Sequence, residues 1–168
     1  MIGAAQDSLF FFGAMSPGHR HSGKVTKERA GENGARHCAL GINWRHDLGP
    51  IRWPTPWPTN DVLVARAMAF ATTQDLLEPF ALAAMRLAFC EGGELGELST
   101  VQRAAERVGI DAEQLAQAVQ TPAVKDAVRT VNDQALALGV FGVPAVVVND
   151  ELFWGDDRLE QAAIARRP

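Results

Sequence analysis

The stretch GVFGVPAVVVNDELFWGDDRLE, residues 139–160, decides the fold. Its middle, PAVVV (144–148), is a short apolar run rich in β-branched residues, which predicts a buried strand. Asn149 and Asp150 follow as a tight turn, and ELFW (151–154) supplies a second short strand, so the pair reads as a β-hairpin. Asp157 followed by Glu160 has the spacing of a capping box and starts a closing helix at Asp156 or Asp157. Pro144 stands out. Proline lacks the amide donor that a sheet ladder uses, so within sheets it sits at edges, bulges or first positions. The residues alone leave two readings open: a trans proline opening an edge strand, or a cis proline at a tight functional turn.

Upstream of this segment lies a block of helices. DVLVARAMAFATT starts at Asn60 or Asp61 and is dense in good helix formers. LLEPFALAAMRLAFCEGG restarts the helix after Pro79 and stops at Gly92-Gly93. Both are apolar nearly all round and are predicted to lie in the interior. Ser99 with Gln102 and Asp111 with Gln114 have capping-box spacing, and Thr121 precedes Pro122 at a favoured first-turn position. The last of these helices runs to Gly139. Ahead of the block, PIRWPTPWPTN (50–60) is proline-rich, hence extended, with Trp53 and Trp57 as its natural anchors. At the other end of the chain SLFFFGAM (8–15) predicts a buried strand that closes in a turn at Ser16-Pro17. Residues 18–49 carry no sustained period of 3.6 or 2 and remain poorly defined.

The chain has 168 residues, 47% of them hydrophobic and 21% charged, with 16 basic residues against 20 acidic. That is an ordinary globular balance for one domain, or for one domain with a sizeable insertion. No large basic face results, so nucleic acid is not the expected partner. The two cysteines, Cys38 and Cys90, form no C-x-x-C pair, which fits a reducing compartment and excludes a redox dithiol motif. The first residues carry Asp7 and no basic region ahead of the apolar run, unlike a secretory signal. No apolar stretch reaches the roughly 18 residues of a membrane span. The expected setting is cytoplasmic. His19, His21, His37, Cys38 and His46 match no common zinc spacing, so no metal is expected.

Three stretches together, FFFGAMSP (10–17), PIRWPTPWPTND (50–61) and GVFGVPAVVVNDELFWGDDRLE (139–160), carry a resemblance. They resemble the 2-hydroxychromene-2-carboxylate isomerase and kappa-class glutathione transferase branch of the DsbA-like thioredoxin superfamily. The resemblance implies an α/β, thioredoxin-like fold with a helical insertion: residues 1–59 and 139–168 form the thioredoxin-like domain and 60–138 the insertion. It implies that Pro144 is the cis-proline beside the active site, with the Val143 backbone free to pair with bound glutathione. Ser16 stands where redox relatives carry C-x-x-C, and the resemblance makes it the catalytic donor of a hydrogen bond to the glutathione thiolate. Dithiol exchange is closed to a serine. Asp157, and with it Asp156, is implied to hold the γ-glutamyl amino group, beside the capping role already read from the spacing.

The implied reaction is a reversible thiol addition to an unsaturated aromatic 2-oxo acid. The partners implied are glutathione and a small aromatic molecule, with a homodimer allowed and no membrane. Two departures stand out. Gly18 replaces the aromatic that follows Ser-Pro in the family, and residues 18–49 are too few and too polar for a full strand-helix-strand unit of roughly 30 residues plus a loop. The sheet is then expected to be one strand short and uncovered on one face. The alternatives are a kappa-class-like glutathione transferase, a DsbA-family oxidoreductase, and a catalytically inactive thioredoxin-like scaffold or truncated product.

Overall fold

The structure is a computed structural model, and it describes residues 2–5, 8–11, 50–55 and 60–166. Four strands, β1 (Ile2–Ala5), β2 (Ser8–Phe11), β3 (Ala145–Val148) and β4 (Glu151–Trp154), form one antiparallel sheet in the order β1-β2-β3-β4. The hairpin β3-β4 forms as the sequence predicts. Asn149 and Asp150 have φ of 49° and 64°, the left-handed pair that a two-residue turn needs to match strand twist. The strand expected over 8–15 is present from 8 to 11, and the rest of that segment lies outside the described residues.

The strand expected to be missing belongs to residues 18–49, outside the described residues, but the sheet has a fourth strand that the sequence does not announce. Ile2–Ala5 pairs with β2, with Ile2 opposite Phe11 and Ala5 opposite Ser8. Glycine and alanine dominate this segment, so it carries none of the β-branched or aromatic enrichment that marks a strand. Its pairing comes from the neighbouring backbone rather than from its own propensity. An uncovered face is not seen at β3, where every residue is buried. Val146, Val148 and Phe153 pack with Ala162 of the closing helix, while Ala145 and Val147 pack with Val140, Ala135 and Leu152 on the other side. Alternation along β3 sends neighbouring valines to opposite faces, and each face has its own cover. This is why PAVVV reads as a continuous apolar run.

The helices are α1 (Val62–Thr72), α2 (Leu77–Glu91), α3 (Leu98–Arg107), α4 (Ala112–Ala118), α5 (Pro122–Ala137) and α6 (Leu159–Ala165). The first four share one core that includes Met68, Phe80, Leu87, Val101, Ile110 and Leu115, and α5 packs along α1. The expectation that α1 and α2 are buried all round is too strong. Each buries one side, and Val62 and Leu82 stand 41% and 54% exposed.

Helix starts follow local chemistry with three corrections. α2 begins at Leu77, ahead of Pro79. A proline there costs no hydrogen bond, because the first-turn amides of a helix have no partner within it. α3 begins at Leu98 with Glu97 at its cap and no side-chain cap bond, so Ser99 lies inside the helix. Gln102, assigned to that cap by its spacing, instead donates to the Ala112 carbonyl at 3.2 Å. α6 begins at Leu159 after a 3₁₀ turn over Asp156–Arg158, with Arg158 at its cap, so the Asp157–Glu160 capping box does not form.

Asp111 and Thr121 both act as caps, although the Gln114 side chain accepts from Gln74 at 3.5 Å and does not complete a capping box. Asp111 accepts the Gln114 amide at 2.7 Å, and Thr121 accepts that of Val124 at 3.4 Å, ahead of Pro122. Gly92 and Gly139 terminate α2 and α5 at φ of 73° and 78°, a conformation glycine takes without steric cost.

Candidate functional site

The site is built at one end of the sheet. β3 begins at Ala145, which pairs with Phe11 of β2 on one side and with Trp154 of β4 on the other. Val143 and Pro144 therefore precede the first rung of the ladder, and the peptide bond between them is cis. The chain leaves β2 at this same end. Ser16, five positions beyond Phe11, lies outside the described residues, as do Trp57 and the histidines at 19, 21, 37 and 46.

Beyond the last rung the chain is held by one more backbone bond, from the Gly155 amide to the Pro144 carbonyl at 3.0 Å. Gly155 has φ of 106° and ψ of 157°, a region open in practice to glycine alone. Asp156 and Asp157 come next, in the 3₁₀ turn. Of the site residues read from sequence, Val143, Pro144, Asp156 and Asp157 are thus brought to the same end of the sheet. The Asp157 carboxylate folds back over Gly155: a Cβ at Gly155 would stand 2.5 Å from its Oδ1. Arg158 places its guanidinium carbon 5.7 Å from the centre of the buried Phe153 ring, the geometry of a cation–π contact.

This end also carries an aromatic pair, of which the sequence marks Trp154 as a packing residue able to wall a ring-bearing substrate and does not single out Phe141. The rings of Phe141 and Trp154 meet at 4.8 Å with 46° between their planes, and Phe141, Val143 and Trp154 are each nearly half exposed. The signal available in the sequence was the F-G-V-P and F-W-G framing of the two strands, which marks aromatics and glycines at both ends of the same rung.

The proline-rich segment, over its described residues 50–55, lies outside helix and strand and docks on the end of α2. The Arg52 amide donates to the Phe89 carbonyl at 2.7 Å, and Trp53 meets Phe89 edge-on at 5.6 Å, so Trp53 is an anchor as expected. Asn60 accepts the Val62 amide at 3.2 Å through its side chain, a local turn one residue ahead of Asp61, the cap of α1, which makes no side-chain cap bond.

A four-stranded sheet with a helix packed on its closing hairpin and a helical layer in the same chain is the arrangement of a thioredoxin-like α/β protein. The DSBA-like thioredoxin domain matches residues 43–165, and the chain belongs to that family. Within it, the chain is similar to 2-hydroxychromene-2-carboxylate isomerase of Sphingobium xenophagum, at 34% identity over 111 residues. That alignment covers 66% of this chain and 56% of the isomerase, so the chain spans little more than half of that relative's length.

Among solved structures, a 2-hydroxychromene-2-carboxylate isomerase matches with a TM-score of 0.66 over 84% of this chain and 70% of the other, at 18% identity, a likeness of fold. A thioredoxin-like oxidoreductase from Silicibacter pomeroyi DSS-3 matches with a TM-score of 0.50 at 30% identity, over 67% of this chain and 63% of that one.

Proposed function

We propose that the protein is a glutathione-dependent isomerase of the 2-hydroxychromene-2-carboxylate type. The observation that carries this reading is the register at the end of the sheet. Phe11 opposite Ala145 puts the last described residue of β2 at the end of the sheet that carries Val143-Pro144. Similarity to the Sphingobium isomerase supplies the reaction class.

In this reading the Val143 main chain, lying ahead of the ladder, pairs with the cysteinyl backbone of glutathione as one more short antiparallel partner. Asp156 and Asp157 hold its γ-glutamyl ammonium by charge-assisted hydrogen bonds. The Ser16 hydroxyl donates to the thiolate and keeps it ionised at neutral pH. Glutathione, when bound, would supply a thiolate able to add reversibly to the double bond conjugated with a 2-oxo acid and to leave again, so that the isomers interconvert with no net change in glutathione or in electrons. Residues 1–59 and 139–168 form the thioredoxin-like domain in this reading, 60–138 is its helical insertion, and the setting is cytoplasmic. Among the described residues no helix is long and apolar enough to cross a membrane.

Calorimetry with glutathione is the direct test, followed by turnover of an unsaturated aromatic 2-oxo acid with glutathione quantified before and after. Binding and full recovery of glutathione are expected. Stoichiometric consumption identifies the transferase alternative, and no binding at millimolar concentration overturns the reading. Ser16→Ala is expected to raise the bound thiol's pKa, and each unit above the assay pH removes about tenfold of the thiolate.

A further inference from the structure

Gly142 is a glycine for an unusual reason. Its φ lies outside the left-handed region, so its backbone alone would accept a side chain. The obstacle is the Trp154 indole: a Cβ at position 142 would stand 2.6 Å from Nε1, 3.3 Å from Cε2 and 3.6 Å from Cδ1. The first of these is closer than any real contact, and the group in the way is a rigid ring. That ring is held on its own account. Trp154 is the residue paired with Ala145 in the first rung of β3-β4, its indole leans on the Phe141 ring at 4.8 Å, and the next residue along is tied to Pro144 by the Gly155 amide. The indole therefore lies against the main chain directly before Val143-Pro144 and limits where that main chain can go.

We infer that Trp154 is a positioning residue for the ligand-binding backbone at Val143, acting through direct contact with Gly142. This deepens the functional reading above and rests on it for the identity of the ligand. The contact has a distinctive consequence. Because the space, and not the backbone conformation, forbids a side chain at 142, a methyl group there is tolerated once the indole is shortened. Leucine at 154 keeps an atom near the Cδ1 position, at an ordinary contact distance, and removes Nε1 and Cε2. Gly155 offers a contrast, since its φ of 106° forbids a side chain whatever its neighbours do.

The test is a double-mutant cycle of Gly142→Ala and Trp154→Leu, with glutathione affinity by calorimetry, thermal midpoint, and hydrogen exchange of the peptide spanning 139–146. Trp154 is nearly half exposed, so its replacement leaves the folded state intact. Gly142→Ala is expected to weaken glutathione binding by about tenfold, a displacement of the loop by a fraction of an ångström, and to raise exchange in 139–146. The double variant is expected to bind more tightly than Gly142→Ala alone and to return exchange toward the parent level.

A Gly142→Ala protein that binds glutathione like the parent overturns the inference. So does a double variant in which the two losses simply add. A contact that serves packing alone lowers the thermal midpoint of Gly142→Ala while the folded protein keeps its affinity, which also overturns it. If the parent protein itself fails to bind glutathione, the functional reading falls and the exchange measurements still decide whether Trp154 holds the 141–144 segment.

Discussion

The Gly155 amide donates to the Pro144 carbonyl at 3.0 Å, one bond beyond the last paired residues of the hairpin. It joins the residue after β4 to the residue before β3. The acidic turn and the cis-proline segment are in this way parts of one rigid end of the sheet. That bond depends on a backbone conformation that other residues rarely reach.

Gly155→Ala accordingly meets two obstacles, a φ of 106° and the Asp157 carboxylate 2.5 Å from the new Cβ. The expected loss of stability is about 1–3 kcal/mol, read by chemical denaturation. A variant as stable as the parent would show that the turn rearranges at no cost.

The two faces of α2 predict opposite outcomes for alanine. Phe80 is fully buried in the helical core and Leu82 is 54% exposed. Phe80→Ala is expected to cost about 3–5 kcal/mol through lost transfer energy and the cavity left behind. Leu82→Ala is expected within about 0.5 kcal/mol of the parent. Denaturation of both variants checks the rotation of this helix about its axis.

Asp111→Ala removes the 2.7 Å cap at the start of α4 and should cost about 1 kcal/mol. Asp111→Asn keeps an acceptor and should cost less. An equal loss in both variants would assign the effect to charge rather than to the cap.

Glu91 at the end of α2 accepts from Arg107 at 2.7 and 3.0 Å and from Arg103 at 3.0 Å. The Arg107 hydrogen bond is the main reason that its carboxyl lies below the ordinary glutamate range, against an opposing desolvation, with the charges of Arg107 and Arg103 adding to the lowering. A carboxyl lowered on folding stabilises the protein above its unfolded pKa, and this contribution is lost as pH falls through the lower folded value. The thermal midpoint should therefore show a small decline on acidification below about pH 4, and Glu91→Gln should flatten it. The triad is exposed, so added salt should shrink the difference between the two proteins.

Much of this architecture is written in short-range chemistry. The turn at Asn149-Asp150, the caps at Asp111 and Thr121 and the stops at Gly92 and Gly139 depend on residues a few positions apart, and all of them form. The readings that fail do so where a side chain had a distant choice. Gln102 had the spacing to cap α3, yet it reaches the start of α4, because tertiary packing brings that carbonyl within range. Asp157 had the spacing to cap α6, yet the chain enters a 3₁₀ turn after Gly155 and α6 starts two residues later. At the candidate site, the order of residues around Pro144 was legible, whereas the Phe141–Trp154 pair and its hold on Gly142 were not.

The sequence by itself determined the hairpin, the helix block and a proline at the mouth of β3, since apolar period, turn chemistry and capping are all local. Only the tertiary structure decided that Ile2–Ala5 joins the sheet, that both faces of β3 are covered, and that an indole at 154 rather than the backbone requires glycine at 142. Those outcomes arise from contacts between segments far apart in the chain, where steric fit and pairing of backbone groups outweigh what each segment prefers alone.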